Sequence, residues 1–110
     1  MNLGMPPVDY EIRKQDKCTC SYCDLSGNGN FDIWMNLSID HIVPGSGNGA
    51  ESKTVACGEC NTLKGMYKPN GTNREERIAD ARRYVRGKRE LYRYVYKKMM
   101  GEIAPSRIAV

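Results

Sequence analysis

The chain has 110 residues, 40% of them hydrophobic and 27% charged, with a net charge of +4. This composition is globular rather than disordered, and no apolar run approaches the roughly 20 residues of a membrane-spanning helix, so both of those classes are excluded. A domain of this size buries only about two-thirds of the surface its unfolded chain exposes, so stabilisation beyond a hydrophobic core is expected.

The opening, MNLGMPPVDY, lacks the basic and apolar regions of a secretory signal, which sets the expectation of a cytoplasmic protein. Residues 1–16 read as a polar, proline-containing lead-in with weak structure. From Lys17 to about Leu25 the chain suits a short hairpin, and SGNGN at 26–30 is a turn cluster. The segment FDIWMNLSIDHIV (31–43) is rich in β-favouring side chains and reads as extended chain, with Phe31 and Trp34 in the core. Pro44 ends it, and GSGNG (45–49) forms a loop. After Cys60, NTLKGMY suits a short helix whose first turn holds that cysteine and whose end is marked by Gly65. The loop KPNGTN then leads to a long helix over about 73–98, started by a capping box of Thr72 with Glu75 or of Asn73 with Glu76. Apolar or aromatic residues at 78, 81, 85, 92, 95 and 99 keep helical spacing, and Gly87 is a weak point midway. The chain reads as one domain over 1–110, with its core at 18–66.

Five cysteines in a chain with no export signal point to metal rather than disulfides, because a reducing compartment keeps thiols free. Four of them form two pairs, Cys20-x-x-Cys23 and Cys57-x-x-Cys60. A tetrahedral thiolate zinc site wants this arrangement, since a two-residue spacer forms a tight knuckle whose amides hydrogen-bond the sulfurs. Cys18 also offers a thiolate in "CTC", but only Cys20 gives the two-residue spacer. The competing assignment, a redox dithiol, belongs near a βαβ pattern and needs no second pair.

Charge is uneven along the chain. Between Arg74 and Lys98 there are ten Lys/Arg against four Asp/Glu, a net of +6, while the remainder carries a net of −2. A charged stripe is ordinarily the solvated face of a helix. Here Tyr84, Tyr92, Tyr94 and Tyr96 interleave with the cations, and a one-sided basic excess is the footprint of a phosphate-rich partner. Arg82, Arg83, Arg86, Arg89 and Arg93 are the candidate contacts on this helix.

His41, in SIDHIVPG, is the only histidine in the chain. Its ring has three possible duties: core packing, metal ligation or proton transfer. Simple zinc ribbons separate their cysteine pairs by about 15–20 residues, whereas 33 residues lie between Cys23 and Cys57 here. Four cysteines complete a tetrahedral shell, so His41 is not needed as a zinc ligand.

In order, CSYC, IDHIVPGSGNG and CGECNTLKG resemble the HNH endonucleases, the ββα-metal nucleases, in their four-cysteine form, over about residues 18–66. The resemblance implies an α+β fold: a small zinc-stabilised, treble-clef-like ββα-metal domain followed by the long basic helix. It implies metal-dependent hydrolysis of DNA phosphodiesters, leaving a 5′-phosphate and a 3′-hydroxyl. By the same resemblance His41 is the general base, Asp40 a ligand of a catalytic Mg²⁺ or Mn²⁺, and Asn61 its second ligand. Small stand-alone members are similar to bacteriophage proteins acting near genome packaging, and others serve restriction or mobile elements.

The chemistry of those residue types agrees. Phosphodiester hydrolysis needs a base to take a proton from water and a cation to absorb developing charge. Imidazole is a base at neutral pH, and carboxylate and amide oxygens suit magnesium or manganese. Lys64, three residues after Asn61, shares its helix face and is placed to bind the phosphate. An ideal strand puts Asp40 and His41 on opposite faces, so a bend or bulge is expected to bring them together. One position departs from the family pattern: Ser52 stands where the middle asparagine usually steadies the histidine loop, with its hydroxyl or Asn48 as the substitute. A zinc-knuckle module that binds nucleic acid without cleaving it is the rival expectation.

Overall fold

The structure, a computed structural model, describes residues 4–47 and 49–103. Its elements are α1 (Pro7–Gln15), α2 (Phe31–Met35), β1 (Leu37–His41), a 3-10 turn (Ala50–Ser52), β2 (Lys53–Cys57), α3 (Gly58–Lys64) and α4 (Arg74–Glu102). β1 and β2 form an antiparallel pair from Leu37↔Cys57 to His41↔Lys53, with no extra residue inserted. The result is the expected α+β domain: a two-stranded sheet, a four-cysteine cluster and a long C-terminal helix.

The N-terminal segment is not a weak lead-in. Proline near the start of α1 has no amide to leave unpaired, Asp9 sits in the first turn, and Arg13 and Lys14 sit in the last, where their charges oppose the helix dipole. Ile12 is fully buried in the core with Leu37, Val55, Ala56, Ala81 and Val85. Just past α1, Asp16 Oδ2 accepts from Thr54 Oγ1 at 2.6 Å and the Val55 amide at 2.9 Å, and its Oδ1 pairs with Arg74 at 3.1 Å. One carboxylate therefore ties α1, β2 and α4 together.

The run at 31–43 is not continuously extended. Asn30 accepts from the Ile33 amide at 3.0 Å and caps a short helix before β1 begins. A local cap thus overrides the β-favouring composition. Phe31 is 70% exposed and lies outside the core, stacked on the half-buried Trp34 at 5.9 Å between centroids. The guanidinium of Arg13 covers the Trp34 ring at 5.3 Å.

Gly65 closes α3 with φ 52, a conformation that costs glycine little. At the start of α4 the cap is Asn73, whose side chain accepts from the Glu76 amide at 2.8 Å. The return bond shifts by one residue: Glu76 Oε1 accepts from the Thr72 amide and hydroxyl. α4 continues through Gly87 without a break. Only its first half is packed, through Ala81 and Val85; the periodic positions Tyr92, Val95 and Met99 are 53%, 41% and 53% exposed. A 29-residue helix outruns a five-residue strand pair, which explains the 54 Å longest dimension.

Candidate functional site

The first knuckle is built by the turn after Cys20. Asp24, with a positive φ of 67, returns its amide to the Cys20 carbonyl at 2.9 Å, and Thr19 bridges Ser26 across this small hairpin. The second knuckle joins the end of β2 to the first turn of α3. Cys20, Cys23, Cys57 and Cys60 bring their sulfurs within 4.8 Å of one another. A tetrahedron with metal–sulfur arms of about 2.3 Å has edges of about 3.8 Å, and the Cys23 and Cys57 sulfurs lie 3.8 Å apart. The amides of Tyr22 and Cys60 point at the sulfurs of Cys20 and Cys57, each at 3.4 Å, as a thiolate knuckle requires. The donor set and spacing fit zinc. Cys18, half-buried, and His41 stand outside this cluster.

Charge within the cluster follows from shared protons. The Cys60 thiol holds Cys20 down to about 5 by hydrogen bonding to it, against the opposing effect of burial. The same bond, followed by burial, pushes Cys60 up, and burial raises Cys23 to about 11. A bound cation takes the place of the remaining protons, so metal affinity falls as the medium becomes acidic.

On the other side of α3, a second group of side chains faces β1. Asn61 Nδ2 donates to Ser38 Oγ at 3.3 Å, and one turn later Lys64 Nζ lies 3.1 Å from Asp40 Oδ2. Successive turns of the helix therefore meet alternate residues of the strand. Tyr22 donates its hydroxyl to Asp40 Oδ2 at 2.7 Å. Burial first, then the charge on Asp40, push the Tyr22 phenol far above its usual range, so it remains a donor. Asp40 Oδ1 takes no hydrogen bond among the described residues and is not among the fully enclosed atoms. That oxygen is a hard donor, and Asn61, held on Ser38, faces the same strand.

His41 ends β1, and the unbroken ladder leaves its side chain on the face opposite Asp40. No bulge joins the two residues. What connects them is Lys64, whose ammonium also donates to the His41 carbonyl at 3.0 Å. Lys64 is 1% exposed, so the expected phosphate contact is corrected: this cation is enclosed by Asp40 and His41. Among the described residues the imidazole itself makes no hydrogen bond or ion pair.

Comparison with known families bears on this arrangement. Residues 20–66 match the family model of the HNH endonuclease. Over that stretch the chain is similar to HNH endonucleases. No curated protein and no solved structure matches the chain. The matched stretch runs from the first cysteine of the cluster to just beyond α3, so it spans both knuckles, β1 with Asp40 and His41, and Asn61.

Within the matched stretch, Ser52 places its hydroxyl on the backbone of the preceding glycines. Its Oγ lies 2.6 Å from the Gly47 carbonyl and 2.8 Å from that of Gly49, and its own carbonyl accepts from the Ile42 amide at 3.0 Å. The residue after His41 is thereby tied to the 45–49 loop. Asn48 lies outside the described residues.

The basic residues of α4 divide into occupied and open cations. Arg82 makes a two-pronged pair with Asp24, both contacts at 2.9 Å, and donates to the Ser21 carbonyl at 2.7 Å, so it clamps α4 to the first knuckle and is not free for a phosphate. That hydrogen bond holds the Asp24 carboxyl below its ordinary range. Arg89 pairs with Glu59 at 2.6 Å, and Arg83 and Arg93 form exposed pairs with Asp80 and Glu90. Arg86 is exposed and outside any ion pair among the described residues, as is Lys97. Tyr84 is stacked on Tyr67 at 3.9 Å rather than presented to solvent, while Tyr92, Tyr94 and Tyr96 are exposed.

Sequence reasoning missed Tyr22 and Ser38. Strand alternation from Asp40 points to Ser38 as its neighbour on the same face. Nothing local points to Tyr22, which reaches Asp40 only because the first knuckle packs against β1.

Proposed function

We propose that this protein is a metal-dependent DNA endonuclease that hydrolyses phosphodiester bonds. The observation that supports this most is the placement of two oxygen donors, Asp40 and Asn61, on one α3–β1 face within the matched HNH stretch, apart from the sulfur cluster. In this reading zinc on Cys20, Cys23, Cys57 and Cys60 fixes the scaffold, while Asp40 and Asn61 hold Mg²⁺ or Mn²⁺. That ion, when bound, neutralises charge developing on the phosphate and the leaving oxygen. His41, the last residue of β1, takes the proton of the attacking water at a ring nitrogen. α4 contributes cations along the duplex, Arg86 foremost among the candidate arginines because it is unpaired.

A second reading is a non-catalytic zinc-knuckle module that binds nucleic acid. It is favoured by one observation: Asp40 Oδ2 already carries Tyr22 and Lys64.

Supercoiled plasmid incubated with Mg²⁺ or Mn²⁺ separates the two. Wild type is expected to nick it, and His41→Ala to nick about 10² to 10⁴ more slowly with zinc content unchanged. Binding without nicking decides for the second reading, and loss of zinc from the variant overturns the ligand assignment.

A further inference from the structure

Lys64 is a buried lysine on a seven-residue helix that could have presented it to water. Its side chain has no exposed surface, and its ammonium is spent on Asp40 Oδ2 at 3.1 Å and the His41 carbonyl at 3.0 Å. A charge is buried at this cost only when paired, and removing one partner of such a pair strands the other. Asp40 is 8% exposed and has no other cation within ion-pair distance among the described residues. Tyr22 supplies a hydrogen bond to the same oxygen but no charge.

We propose that Lys64 is the resident counter-ion of the Asp40–Asn61 site, holding the buried carboxylate until a divalent cation displaces it. This rests on reading Asp40 as an ion ligand. A dication on Asp40 Oδ1 and an ammonium on Oδ2 of the same carboxylate repel across a few ångströms of protein, where screening by water is weak. The two therefore compete. Exchange of one cation for another leaves Asp40 compensated at every stage, and it releases Lys64 from the His41 carbonyl at the moment the ion arrives. Occupancy of the ion site is thus reported to the backbone of the proposed base. His41 and Lys64 lie 23 residues apart in sequence at this contact, so the coupling belongs to the α3–β1 packing.

The test measures ion binding rather than cleavage. Free Mn²⁺ is followed by electron paramagnetic resonance in titrations of the zinc-loaded full chain. Lys64→Met is expected to bind Mn²⁺ about tenfold more tightly than wild type or better, because the competing charge is gone, and addition of Asp40→Asn is expected to abolish that gain. A folded Lys64→Met protein with unchanged or weaker affinity overturns the proposal, as does absence of Mn²⁺ binding from both proteins. Because the variant strands a buried carboxylate and can fail to fold, wild type is also examined by ¹⁵N-edited NMR of its lysine ammonium groups. The Lys64 signal is expected to shift or vanish on Mg²⁺ addition with the same midpoint as the Asp40 and Asn61 signals, while Lys88 is unaffected. A Lys64 signal unmoved at saturating Mg²⁺ overturns the proposal. Plasmid nicking run in parallel keeps the two ideas apart: nicking with an immobile Lys64 leaves the nuclease reading and removes this one, and displacement without nicking does the reverse.

Discussion

Asp80, on the first half of α4, accepts from the Tyr67 hydroxyl at 2.6 Å and from the Asn70 amide at 2.8 Å. The Tyr67 bond first, then the Asn70 amide, hold its carboxyl below the ordinary value of 3.8. A carboxyl lowered by folding stabilises the protein above its unfolded value, and that contribution is lost as pH falls through the folded value. In Tyr67→Phe the larger cause is gone. The Asp80 midpoint, read from its side-chain carbonyl by ¹³C NMR, is then expected to rise toward 3.8, and the urea midpoint at pH 7 to fall. The difference between wild type and variant should narrow as pH drops below about 4. An Asp80 midpoint that stays put in the variant would mean the hydroxyl is not what stabilises the charge. Lys64 carries the opposite lesson at this scale: a lysine at helical spacing from Asn61 reads as a surface cation, yet its charge is enclosed because a carboxylate from a different element meets it.

Among the elements, α3 and α4 announce themselves and α1 and α2 do not. Gly65 and the Asn73–Glu76 cap act within four residues, so their effect is visible in the local string. α1 buries a single side chain, Ile12, which is too sparse a pattern for periodicity to reveal. Its attachment is tested by Ile12→Ala, expected to cost the zinc-loaded protein about 2–5 kcal/mol by urea unfolding. A cost under about 1 kcal/mol would make α1 a peripheral strap. In α2 the cap from Asn30 breaks a run whose composition favours strand, and the residue left most exposed is the aromatic Phe31.

Across the whole molecule, the positive field of α4 is less available than a count of its cations suggests. Arg82 is held by Asp24 and the Ser21 carbonyl, whereas Arg86 and Lys97 are exposed and unpaired among the described residues. Phosphate contacts release counterions, and each contributes about 0.9 to the slope of log affinity against log salt on duplex DNA. Arg86→Ala and Lys97→Ala are therefore each expected to lower that slope by about 0.9 in fluorescence anisotropy titrations. Arg82→Ala should leave the slope unchanged while loosening the contact between α4 and the first knuckle. A slope lowered by Arg82→Ala and untouched by the other two would place the duplex elsewhere.

From its residues alone, this chain determined its two cysteine knuckles, the α+β class, the HNH pattern, the stop of α3 at Gly65 and the start of α4 at Asn73. All of these depend on spacings of a few residues, where the chain's own geometry sets which atoms meet. The enclosure of Lys64, the hydroxyl of Tyr22 on Asp40, the core position of Ile12 and the clamp of Arg82 on Asp24 were decided only in three dimensions. Each joins residues separated by more than a dozen positions, and burial of a charge or an apolar group depends on which distant surface arrives to cover it.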